Sequence, residues 1–267
     1  MLKDITLGQY FPGDSFVHKL DPRTKLLMVV MYIIALFTAS GFVGYGVMIA
    51  VTAGFIALSK VPPKSMFRGL KSVILIIALT AVLNIFYTEG AVLVQVWKLK
   101  ITYEGIIRAV FMVLRIVMLI CGTFLLTYTT SPISLTDGLE SLLNPLKVLR
   151  LPVHELSMMM CIALRFIPTL IEETDKIMSA QKARGADFET GSLLQRVKAL
   201  VPILVPLFIS AFRRADELAV AMESRCYNGG AGRTRMKQLR YAGRDYLALG
   251  FGLLLMVGMA ALQVIGL

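Results

Sequence analysis

The chain lacks most of what a catalytic or cofactor-binding protein needs. Its 267 residues contain three cysteines (Cys121, Cys161, Cys226) and two histidines (His18, His154), all far apart and without metal-ligand spacing. Packed thiols and hydrogen-bonded imidazoles are therefore the reading, and a metal or redox centre is not expected. No G-x-x-x-x-G-K-S/T phosphate loop occurs. Gly229-Gly230-Ala231-Gly232 neither follows a strand nor carries the lysine, and reads as a helix end with a flexible exit. There is no Ser/His/Asp set, no H-E-x-x-H and no carboxylate pair within an apolar run, so catalysis by this chain alone is not expected. The apolar runs hold no acid except at their borders. That weighs against the alternative of a stand-alone secondary transporter or channel, which would need midplane acids or broken helices along its own substrate path. Aromatic stacking motifs are also missing, which leaves the basic balance without a nucleic-acid explanation. The first 22 residues show no short apolar core followed by a small-residue cleavage site, so no cleavable signal is expected.

What the chain does have is apolar length. Hydrophobic residues make up 57% of it, against about 45–50% in an average soluble domain. The formal net charge of +11 then follows from cationic loops on one side of a membrane and from anionic headgroups. Leu26 to Leu58 is free of charge. It is too long for one span of about 20 residues, and Gly41, Gly44 and Gly46 divide it into two spans joined by a tight turn. Gly46, Ala50 and Gly54 recur every four residues, a spacing that lets helix backbones approach closely in lipid. Packing within this chain is favoured over contact with a partner.

A basic loop from Lys60 to Lys71 leads to a third span, about 72–87. The next loop carries Trp97 and Tyr103, which suit an interfacial belt. A fourth span covers about 105–128. Arg115 lies deep in it and must face protein or water, with a structural pairing favoured over a substrate site. A fifth span fills about 246–267. Cations crowd the N-terminal lead, the Lys60–Lys71 loop and the 131–245 segment, while the turn near Gly41 has none. This places the N-terminus and residues 131–245 in the cytoplasm.

Residues 131–245 read as a first helix to about Leu149, then two long amphipathic helices over about 153–184 and 192–227, with Pro168, Pro202 and Pro206 as kinks. Each long helix ends in a lone arginine between small residues: Ala183-Arg184-Gly185 and Ser224-Arg225-Cys226. In each, an aspartate (Asp175, Asp216) stands nine residues earlier. A cation at a helix C-terminus suits the helix dipole. Two such ends, with small neighbours, also suit a pair of carboxylate-bearing partner surfaces.

The lead Gly8-Gln9-Tyr10, Pro12-Gly13-Asp14-Ser15 and His18-Lys19-Leu20-Asp21-Pro22-Arg23-Thr24-Lys25, together with the two arginine tripeptides, resembles the transmembrane T component of energy-coupling-factor vitamin transporters over essentially the whole chain. The second tripeptide departs modestly, with Ser and Cys in place of Ala and Gly around the arginine. The resemblance implies an all-α membrane protein of the bacterial cell membrane. It would have about five transmembrane helices and a cytoplasmic coupling region of about three long amphipathic helices, organised as 1–130, 131–245 and 246–267. It implies a non-catalytic subunit without a cofactor of its own, in which the X-Arg-X motifs at Ala183, Arg184, Gly185 and Ser224, Arg225, Cys226 bind two ABC-type ATPases that hold the ATP. Met158, Met159, Met160, Leu204 and Phe208 are expected to meet a substrate-capturing S component, methionine being adaptable to exchangeable partners, with internal core as the even alternative.

Overall fold

A computed structural model describes residues 10–88, 92–96, 99–149, 152–188, 192–229 and 238–265. Gly8-Gln9 of the lead, Trp97, Glu189-Thr190-Gly191 and the glycine exit with its basic continuation at 230–237 lie outside the described residues. The chain divides into two compact units, Gly8–Leu139 with Leu239–Leu267, and Glu140–Gln238.

The first unit is a helical bundle. Its helices are α1 (Pro22–Thr38), α2 (Gly41–Ser59), α3 (Pro63–Tyr87), α4 (Tyr103–Thr129), most of α5 (Pro132–Leu143) and α8 (Gly243–Ile265). α1 starts at the Asp-Pro signal: Asp21 Oδ1 accepts from the Arg23 N–H at 2.9 Å, and Pro22 takes the first helical position, where no N–H is needed. The charge-free run breaks at Ala39-Ser40, and Gly41 opens α2 with φ +64°. α2 ends at Lys60, whose left-handed φ of 55° turns the chain into Pro62-Pro63 and α3.

The core lies among α1, α2, α4 and α8, where Tyr32, Leu36, Tyr45, Met48, Met118, Leu255 and Met259 pack together. Tyr32 is held by Thr52 Oγ1 at 2.7 Å and the Met118 carbonyl at 3.1 Å. A methyl group at Gly122 would come within 2.6 Å of its ring, so only glycine lets α4 pass that closely. Arg115 meets the pairing expected of it. It donates to the Ala39 carbonyl at 3.3 Å and its guanidinium lies 5.6 Å from both the Phe37 and Tyr45 rings.

The N-terminal lead proves to be a clamp at one end of this bundle. Lys25 Nζ, buried, donates to the carbonyls of Thr129 at 2.8 Å and His18 at 3.2 Å. Thr129 ends α4, so the ammonium also sits at the negative end of that helix. Asp245, in the first turn of α8 and 1% exposed, accepts from the backbone N–H groups of Asp21 and Ala242, both at 2.8 Å. His18 lies 2.6 Å from Ser15 Oγ through Nδ1 and 2.9 Å from the Phe11 carbonyl through Nε2. Phe11 in turn donates its N–H to the Tyr128 carbonyl. The starts of α1 and α8 and the end of α4 are thereby fastened to one another.

Two expectations need correction. The stripe Gly46, Ala50 and Gly54 does not pack on this chain: all three are exposed, and a methyl group on either glycine would meet no atom within 4 Å. α2 instead packs through Gly44, Tyr45, Met48 and Thr52. Periodicity identifies a face but not its neighbour. The loop before α4 is a short antiparallel hairpin, β1 (Val92–Val96) with β2 (Leu99–Thr102), in the register Val94↔Ile101 and Val96↔Leu99. Its β-branched Val92, Val94 and Val96 suit a strand. Among the described residues, five helices are long and apolar enough to cross a membrane by length and composition alone: α2, α3, α4, α6 (Val153–Ala183) and α8. α1, with 17 residues, is about 26 Å of helix, at the short end of the roughly 17–25 residues that cross a hydrocarbon core. α6 qualifies by its apolar first half, although Glu172, Glu173, Asp175 and Lys176 follow.

The second unit contains the end of α5, a 3₁₀ turn (Asn144–Leu149), α6 and α7 (Leu193–Glu223). His154 Nδ1 lies 3.1 Å from Glu140 Oε1, the ordinary hydrogen-bonded imidazole expected of an isolated histidine.

Candidate coupling surface

α6 and α7 form an antiparallel pair. Gln181 Nε2 donates to the Pro202 carbonyl at 3.3 Å, and Glu173 accepts from Ser210 Oγ and from Arg214 Nη2. As the chain advances along α6, its partner position on α7 recedes. The two arginines therefore lie at opposite ends of the pair.

Each arginine sits in the same local structure. Arg184 follows the last residue of α6 as its C-cap. Gly185 takes φ +87°, its N–H donates to the Lys182 carbonyl at 3.0 Å, and the Ala186 N–H reaches back to the Gln181 carbonyl at 3.0 Å. At the other end, Cys226 takes φ +55°, its N–H donates to the Glu223 carbonyl at 2.8 Å, and the Tyr227 N–H donates to the Met222 carbonyl at 3.0 Å. Both sets are the paired 5→2 and 6→1 bonds of a Schellman closure, with the arginine one residue before the left-handed position. Cysteine at that position costs about 1–2 kcal/mol relative to a right-handed conformation, whereas Gly185 pays no such cost. The sequence departure from Gly to Cys thus leaves the geometry of the arginine unchanged.

Ala183, Arg184, Gly185, Ser224, Arg225 and Cys226 are all exposed. The aspartates nine residues upstream are not their partners. Nine residues is two and a half turns, which puts Asp175 and Asp216 on the opposite side of each helix. The residues on the arginine side stand eleven before, close to three whole turns. They are Glu173 on α6 and Arg214 on α7, which pair with each other. The two tips are thus equidistant from one ion pair, each about 16 Å along its helix. An antiparallel pair with equal arms has a local two-fold axis through that ion pair, and its tips lie on the order of 30 Å apart.

The apolar residues singled out in the sequence are available but not adjacent. Met159, Met160, Leu204 and Phe208 are exposed and Met158 is half-buried. The antiparallel register sets Met158–Met160 beside the Arg225 end of α7, and Leu204 and Phe208 nearer the Arg184 end. Val201, Val205, Ile209 and Phe212 extend the exposed apolar face of α7 beyond the residues named from sequence.

A family model described as "Cobalt transport protein" matches residues 13–237. "Energy-coupling factor transporter transmembrane protein EcfT" of Clostridium kluyveri is 60% identical to this chain over 93% of each. The protein of the same name from Bacillus subtilis is 51% identical over 92% of this chain and 93% of its own length. This chain belongs to the T components of energy-coupling factor transporters. As a T component it is a multi-pass transmembrane subunit of a transporter. Sequence reasoning missed Glu173, Ser210 and Arg214. The signal for Glu173 and Arg214 was the equal eleven-residue offset to the arginines, which the more visible nine-residue aspartate offset obscured; Ser210 had no such signal.

Proposed function

We propose that this T component transmits the motion of two cytoplasmic ABC-type ATPases to a membrane-embedded S component, driving uptake of vitamins or other micronutrients, and that it performs no catalysis itself. The observation that supports this reading is the matched pair of Schellman-closed arginine tips on equal arms. Two similar ATPases related by an approximate two-fold axis would each need one such tip. Each guanidinium is exposed and planar, and its small neighbours allow a partner surface to approach until a carboxylate engages it with two parallel hydrogen bonds. Residues 131–245 and the N-terminus lie on the cytoplasmic side in this reading, in keeping with the cationic loops. The exposed apolar faces of α6 and α7, including Met158, Met159, Met160, Leu204 and Phe208, meet the S component. Because the register separates these residues, the S component contacts them as two patches. ATP is bound by the ATPases, and this chain needs no cofactor.

The test is co-purification in mild detergent. The unaltered chain is expected to co-elute with two ATPase chains and a small hydrophobic subunit. Losing one buried charge-assisted contact costs about 2–5 kcal/mol, so the Arg184→Glu/Arg225→Glu double variant should insert in the membrane normally and lose the ATPases. Retention of both ATPases by the double variant would overturn the assignment of the tips.

A further inference from the structure

Few apolar side chains of α6 and α7 are fully buried; most of the rest are half-buried or exposed. Among the described residues Ile203 is the one buried apolar side chain of α7, while Val201, Leu204, Val205, Phe208, Ile209 and Phe212 are exposed. On α6 the buried residues are Val153 and Ser157, near its start. Apolar packing is non-directional and would tolerate a slip of one helical turn, about 5.4 Å. Something else must set the crossing.

Directional contacts do. Glu173 receives two donors from α7, Ser210 and Arg214, which are four residues apart and stacked on one face. A one-turn slip in either direction would leave Glu173 beside only one of the two. A second tether lies eight residues further along α6. Pro206 has no N–H, so the Pro202 carbonyl has no donor within its own helix. Gln181 Nε2 supplies it from α6 at 3.3 Å. Two tethers about 12 Å apart fix the angle between the helices as well as the point at which they cross.

We propose that Glu173, Ser210 and Arg214 form a latch, with Gln181 as its second tether, and that these positioning residues set the separation of the Arg184 and Arg225 tips. The inference rests on the coupling role proposed above. If one tip moves under an ATPase, a latched crossing carries the displacement to the other arm. An unlatched crossing absorbs it by sliding.

The test uses the full chain with spin labels at Lys182→Cys and Glu223→Cys, both exposed. In this background Cys121 and Cys161 are replaced by serine and Cys226 by glycine, and ATPase co-elution is scored on chains that keep all three native cysteines. Pulsed EPR reads the tip-to-tip distance, alone in detergent and with the co-purified ATPases. The unaltered latch should give one narrow distribution centred on the order of 30 Å. Glu173→Gln and Arg214→Met should each broaden it at least about twofold while the ATPases still co-elute, since both arginine tips remain. The charge swap Glu173→Arg with Arg214→Glu should narrow it again, a rescue that a general folding defect would not show. Single variants as narrow as the unaltered chain, or a swap as broad as the singles, would overturn the latch. If the unaltered chain carries no ATPases, the coupling role fails instead, and the distances in detergent still decide the latch.

Discussion

Replacing Asp245 by asparagine should destabilise the transmembrane bundle more than any other change of a single atom type in the clamp. The carboxylate is 1% exposed, and each oxygen takes one backbone N–H, from Asp21 and from Ala242, at 2.8 Å. Asparagine keeps one acceptor and turns the other into an NH₂ facing an N–H. One charge-assisted bond, worth about 1.5–3 kcal/mol, is lost, and a buried N–H is left unpaired at a further cost of about 1–3 kcal/mol. The contribution of Asp245 to the favourable field at the buried Lys25 ammonium is lost as well, while that of Asp21 remains. A total of about 2.5–6 kcal/mol corresponds to roughly 5–24 °C in Tm, at about 2–4 °C per kcal/mol for a chain of this size class. Thermal unfolding of the purified chain in mild detergent, followed by intrinsic fluorescence, reads the shift, with Asp216→Asn as an exposed control that should move by less than about 1 °C. A Tm for Asp245→Asn equal to that of the control would show that the clamp does not hold the starts of α1 and α8 together.

The two left-handed positions predict opposite outcomes for substitution. Gly185→Val places a β-branched residue at φ +87° with open space around it, so the penalty is one of backbone conformation alone, about 1–2 kcal/mol. Fraying of the α6 end should then weaken ATPase association about 5–30-fold, measured by titrating purified ATPase subunits. Cys226→Gly removes a similar penalty from the α7 end and should leave association within about twofold, which would also show that the thiol has no part in docking.

Much of this was legible in the sequence because the physics involved is local. Asp21-Pro22 announces the start of α1, the charge-free run announces spans, and an arginine between small residues before a glycine announces a helix end. What was hidden depended on residues far apart in the chain. Glu173 and Arg214 are 41 positions apart, and only the antiparallel register brings them together. The Pro202 carbonyl becomes an acceptor for Gln181 because of a proline four residues on, a vacancy that has no signature until α6 lies alongside. Cys226 could not be equated with Gly185 by residue type, since cysteine has no preference for positive φ; the equivalence lies in the hydrogen bonds. The Gly46-Ala50-Gly54 face was visible, but its direction depends on which side of α2 the bulkier Tyr45 and Met48 fill. The lead was recognisable as a pattern, whereas its role as a clamp required α4 and α8 to be in place.

The central claim is that force enters this T component through two arginine tips on the cytoplasmic side. A photo-crosslinking residue at Ala183 and, separately, at Ser224 tests it most directly, in membranes that also carry the other subunits. The account predicts an adduct to an ATPase chain from each position, with neither position labelled by a membrane-impermeant reagent added outside the cell. Labelling from outside, or adducts that contain no ATPase chain from either position, would contradict it.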